Sequence, residues 1–82
     1  MDYSSTPPVG DIYKFIPELN AVDKALIEKA YYYARNAHHG QVRKSGEPYF
    51  NHVVCTAINL AKLRMDVHSI CAGLLHDVIE DT

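Results

Sequence analysis

His76 and Asp77 interrupt an otherwise apolar stretch, and Glu80 and Asp81 follow about one helical turn later. His76 and Glu80 stand four residues apart, as do Asp77 and Asp81, so on a helix each pair shares a face. Placing these ionisable groups on a central, apolar helix is costly unless something compensates their charge. A bound cation would do so, and an imidazole-plus-carboxylate set suits a divalent metal such as manganese, iron or zinc. Carboxylates at a helix C-terminus also oppose the macrodipole, so helix stabilisation is a poor account of them. The other open reading is a fraying helix end whose charges are simply solvated.

His52 is the next candidate ligand. It falls at the start of a predicted helix, where an antiparallel neighbour would bring it near His76; a surface imidazole is the plainer alternative. His38, His39 and His68 have no partner spacing that singles them out and read as structural or exposed. Arg43, Lys44 and Ser45 form a compact donor cluster in a polar loop. Such a loop can grip phosphate or a base through guanidinium, ammonium and backbone N–H groups, or it can be an ordinary basic loop.

These residues need helices to hold them. Residues 1–10 (MDYSSTPPVG) read as an irregular leader, and 11–19 (DIYKFIPEL) as a short helix packing on the rest. Asn20 is a plausible N-cap for a helix that Gly40 stops, with Ile27, Ala30, Tyr31, Ala34 and Ala37 as its apolar stripe. Tyr31, Tyr32 and Tyr33 cannot all face one way, so one or two should bury and the others lie at the rim. Beyond the loop of residues 40–48, a helix over about 49–63 buries Val54, Ala57, Ile58 and Ala61. Asp66 looks like the cap of a helix over about 67–80, apolar on nearly all sides and therefore central in a bundle. No alternating strand pattern or internal repeat is present, and the fold class is all-α.

The chain of 82 residues is 48% hydrophobic and 22% charged, a globular balance that allows one small domain at most. A net charge of -2 argues against a general nucleic-acid binder. No apolar run approaches the roughly 20 residues of a membrane span, and residues 1–10 lack the pattern of a signal peptide. Cys55 and Cys71 lie in apolar helical patterns and read as buried free thiols of a cytoplasmic protein.

Three stretches occur in a fixed order: AYYYARNAHHGQVRKSGEPYFNH, then LAKLRMD, then AGLLHDVIEDT. Together they closely resemble the N-terminal hydrolase domain of the Rel/SpoT family, the bifunctional (p)ppGpp synthetase/hydrolases of the bacterial stringent response. The resemblance spans about Ala30 to Thr82. It implies an all-α HD-domain helical bundle, here its N-terminal half, with residues 1–19 as leader and short helix and 20–82 as a partial HD domain. It implies a divalent metal, usually Mn2+, held by His52, His76 and Asp77. Glu80 and Asp81 match the pair that orients or activates the attacking water, and Arg43, Lys44 and Ser45 match the loop that contacts the nucleotide. The implied reaction removes the 3′-diphosphate of ppGpp or pppGpp, giving GDP or GTP and pyrophosphate.

Two departures from the family stand out. Val53 replaces the proline that usually follows the first ligand His, a small change because proline at a first helical turn is favourable but dispensable. The family's fourth metal ligand, an Asp on a later helix, has no counterpart before Thr82. A bundle lacking those later helices would expose apolar surface that invites self-association. The intact His-Asp and Glu-Asp pairs point to a hydrolase-competent parent, since the family's synthetase-only members typically have a degraded site. Competing readings are a metal- or nucleotide-binding piece without turnover, another HD phosphohydrolase, and a purely structural interaction fragment.

Overall fold

The computed structural model describes the backbone of residues 3–81, and the side chains of that span apart from those of Asp77, Ile79, Glu80 and Asp81. Four helices follow in order: α1 (Gly10–Tyr13), α2 (Ala21–Ala37), α3 (Tyr49–Lys62) and α4 (Val67–Asp81). Among the described residues the only extended pairing is an isolated bridge between Val42 and Pro48. The all-α expectation holds, and the short helix expected within 11–19 shrinks to the single turn of α1, because Pro17 and the turn at Lys14–Phe15 stop it.

Local chemistry sets the helix ends. The Asn20 side chain accepts from the Asp23 N–H at 2.8 Å, starting α2. Asp66 accepts from the Ser69 N–H at 3.2 Å and from its hydroxyl at 2.6 Å, starting α4. The end of α3 is less ordinary. Arg64 N–H reaches Ala61 O at 2.9 Å and Met65 N–H reaches Leu60 O at 3.1 Å, the two bonds of a Schellman turn. The left-handed position of that turn is held by Arg64 at φ 60°, where glycine is the usual occupant. Its guanidinium donates to Phe15 O at 2.8 Å and pairs with Glu18, tying the α3–α4 turn to the segment after α1.

The core is one cluster. Ile12 from α1, Ile27 and Ala34 from α2, Phe50, Val53, Val54, Ala57 and Ala61 from α3, and Ile70 and Leu74 from α4 are completely buried. Phe50 meets the Tyr31 ring edge-on at 4.9 Å and the Tyr3 ring at 5.9 Å. Of the three consecutive tyrosines, Tyr31 buries while Tyr32 and Tyr33 stay exposed, as the helical period requires. Helix α4 packs on both α2 and α3. Gly73 faces α3, where a Cβ would lie 2.6 Å from Leu60 Cδ1.

The leader is irregular yet tied down. Tyr31 donates its hydroxyl to Pro7 O at 2.8 Å, and Tyr3 donates to Arg35 O at 3.3 Å. Asn51, buried in the first turn of α3, accepts from the Thr6 hydroxyl and donates to Ser5 Oγ at 3.3 Å. One expectation is corrected. Cys55 is exposed rather than buried, because it lies on the face of α3 turned away from Val53, Val54 and Ala57. Cys71 is partly buried, and both thiols are free.

Two outcomes test this packing. Gly73→Val forces Leu60 aside and should cost about 1–3 kcal/mol in chemical denaturation. The hydrogen bonds from Ser69 hold the Asp66 carboxyl below its ordinary value of 3.8. Its contribution to stability is therefore complete above that value and fades as the pH falls through the lower folded-state value. Asp66→Ala should lower the melting temperature near neutral pH and narrow its gap to the parent chain in acid.

Candidate functional site

Helices α3 and α4 form an antiparallel pair joined by a short turn, so the start of α3 lies beside the end of α4. Gly73 faces Leu60 and Thr56 across this pair. His52 lies in the first turn of α3, and His76 lies in the second half of α4.

Their local settings differ. His76 is exposed, and its Nδ1 lies 2.8 Å from the Gly73 carbonyl of the preceding turn. A carbonyl oxygen only accepts, so Nδ1 carries a proton, and in the neutral ring Nε2 then carries the lone pair. That is the tautomer a metal-binding imidazole needs, with its other nitrogen held by a backbone acceptor. His52 is also exposed, while Asn51 and Val53 on either side of it are buried and hold the backbone in place. The Tyr49 ring stands 5.7 Å from the His52 ring. The remaining candidates, Asp77, Glu80 and Asp81, have side chains outside the described residues. Among the described residues no three His, Cys, Asp or Glu groups gather closely enough to hold a metal ion. A set built on His52 and His76 therefore needs a carboxylate such as Asp77, and two nitrogen donors plus oxygen donors fit a divalent ion of the manganese, iron or zinc class.

The basic loop has a defined shape. Gln41 accepts from the Tyr49 N–H at 2.9 Å, Arg43 donates its N–H to Glu47 O at 3.0 Å, and Gly46 donates to Arg43 O at 2.8 Å. Gly46 takes φ 88°, the left-handed conformation that closes this turn. Arg43, Lys44 and Ser45 project from it, all exposed. The loop leads directly into α3 three residues before His52, so the donor cluster and the imidazole share one rigid junction.

Two residues at that junction carried no signal in the spacing. Asn51 reads as one polar residue in an apolar helix, yet it is the tie to the leader. His38 is completely buried, with Nδ1 2.7 Å from Gln41 Oε1. His39 and His68 are exposed. On the other side of the molecule, α2 and α4 frame a groove of about 460 Å³ lined mainly by Leu26, Tyr33, Cys71, Leu75 and Val78, with Lys29 and His68 among its polar members. Burial pushes the Cys71 thiol up from its ordinary value, so it stays protonated near neutral pH and is a poor metal ligand.

A family model described as HD domain matches residues 30–82, a stretch that contains the basic loop, α3 and α4. A probable guanosine-3′,5′-bis(diphosphate) 3′-pyrophosphohydrolase of Mycoplasma pneumoniae is 51% identical over 69 residues, 84% of this chain and 9% of that protein. The bifunctional (p)ppGpp synthase/hydrolase SpoT of Escherichia coli K12 is 54% identical over 56 residues, 68% of this chain and 8% of that protein. A GTP pyrophosphokinase of Myxococcus xanthus is 47% identical over 76 residues, 93% of this chain and 9% of that protein. The chain thus spans less than a tenth of the length of these three relatives.

The tautomer at His76 is directly measurable. Long-range nitrogen–proton NMR at a pH where the imidazole is neutral should show His76 protonated on Nδ1. The opposite tautomer would remove Nε2 from the set of candidate metal donors.

Proposed function

The chain belongs to the HD domain family, and we propose that its site acts in a guanosine-3′,5′-bis(diphosphate) 3′-pyrophosphohydrolase of the Rel/SpoT type. The observation that carries this reading is the near-half identity to relatives of that name. The matched stretch of residues 30–82 takes in every candidate ligand and the whole basic loop.

In this reading His52, His76 through Nε2, and Asp77 would hold Mn2+. When bound, the ion lowers the pKa of a coordinated water and offsets charge on the diphosphate. Glu80 and Asp81, about one turn beyond His76 and Asp77, would orient the attacking water and take its proton. Arg43 and Lys44 face the polyanionic substrate with a guanidinium and an ammonium, and Ser45 adds a hydroxyl donor. The water oxygen bonds to the phosphorus attached to the ribose 3′-oxygen, the bond to that oxygen breaks, and the 3′-hydroxyl takes up a proton. The products are GDP, or GTP from pppGpp, and pyrophosphate. A guanine nucleotide substrate of this kind assigns the activity to the cytoplasm. Among the described residues no helix is long and apolar enough to cross a membrane.

A second reading is binding of metal or nucleotide without turnover. Manganese and ppGpp separate the two. Manganese at a hundredfold excess over its dissociation constant should stabilise the fold by about 2.7 kcal/mol, and His76→Ala/Asp77→Ala should abolish that gain. Pyrophosphate release from ppGpp above this double variant supports the hydrolase, and binding without release supports the second reading. A chain that responds to neither manganese nor ppGpp overturns both. Arg43→Ala should weaken ppGpp binding about tenfold, the size of one lost charge-assisted contact, and leave the manganese response intact.

A further inference from the structure

The His38 imidazole sits at the C-terminal cap of α2, completely buried. Its Nδ1 donates to Gln41 Oε1 at 2.7 Å, since an amide oxygen only accepts. Its Nε2 is buried and has no hydrogen-bonding partner among the described residues. A phenyl ring would fill the same space without leaving a nitrogen unsatisfied, so filling the core does not explain an imidazole here. What the imidazole does and a phenyl cannot is hold Gln41.

Both feet of the basic loop converge on this ring. Gln41 binds it through the side chain, and the Gln41 N–H also donates to His38 O at 2.9 Å. Tyr49 packs its ring 5.1 Å from the imidazole and donates its N–H to Gln41 O at 2.9 Å. From these feet the internal bonds of Arg43 with Glu47 and Gly46 carry the fixed geometry to the exposed donors. Across Tyr49 the packing continues to the His52 ring.

We propose that His38 is a positioning residue: through Gln41 and Tyr49 it sets the pose of the Arg43–Lys44–Ser45 loop and of the His52 imidazole. Its functional meaning rests on the hydrolase reading above, and its geometry does not. His38 touches no substrate in this scheme; it determines where the groups that do are held.

Amide hydrogen exchange on the metal-free chain tests this without nucleotide. In His38→Phe, the Arg43, Gly46 and Tyr49 amides should exchange about five- to tenfold faster, the scale of one lost hydrogen bond. The core amides of Ile27, Val54 and Leu74 should keep their protection. His38→Asn, which restores a donor near the Nδ1 position, should recover part of the loss. Gln41→Ala reads the same contact from the exposed partner should His38→Phe fail to fold, and the double variant should exchange no faster than the worse single one. Unchanged loop amides, an equal acceleration in the core, or additive effects of the two substitutions would each overturn the proposal. A parent chain that ignores manganese and ppGpp would overturn the hydrolase reading and leave this result standing.

Discussion

The close approach of α3 and α4 at Gly73 is the constraint on which the site depends. With no side chain there, Leu60 and Thr56 of α3 come against the backbone of α4. The same residue contributes the backbone carbonyl that binds His76 Nδ1. Gly73 thus joins the α3–α4 contact to the imidazole, through its missing side chain on one side and its main chain on the other.

Around this hairpin the molecule uses polar ties where a larger domain would use apolar contacts. A chain of this size has a thin core. Asn51, Arg64 and His38 each reach across to a segment that lacks a helix of useful length: the leader, the stretch after α1, and the basic loop. In each case a side chain bonds to a group that would otherwise be left to solvent. Arg64 also sits in a left-handed backbone conformation, which for a non-glycine residue costs roughly 1–2 kcal/mol. Its guanidinium contacts with Phe15 O and Glu18 offset that cost.

The helices and the site were legible to different degrees. Asn20 and Asp66 are short polar residues ahead of apolar runs, and both cap as their chemistry suggests. Most of the apolar stripes of α2 and α3 were readable because the 3.6-residue period dominates there, but Ala37 is exposed at the end of α2, Ile58 is only partly buried, and Phe50 and Val53 extend the buried face beyond the expected set. His76 stood out because a charge-capable residue in an apolar helix demands a reason. His38 did not, because its partner is a glutamine three residues away across a left-handed glycine, a geometry with no helical spacing to betray it. The Schellman turn at Arg64 was hidden for a related reason: the residue type that usually marks it is missing. Cys55 was misplaced because an apolar neighbourhood in sequence does not say which side of the helix a residue takes.

The ties of the leader have a kinetic corollary. The α3–α4 hairpin closes through a short turn, so its contacts are local and form at little entropic cost. The bonds from Thr6 and Ser5 to Asn51 instead span 45 and 46 residues, among the longest separations in the chain. Topology of this kind makes distant pairings late events in folding and early losses in local unfolding. By this reasoning the α3–α4 hairpin is favoured to form ahead of the strap that ties the leader to Asn51, and the strap is the easier of the two to release.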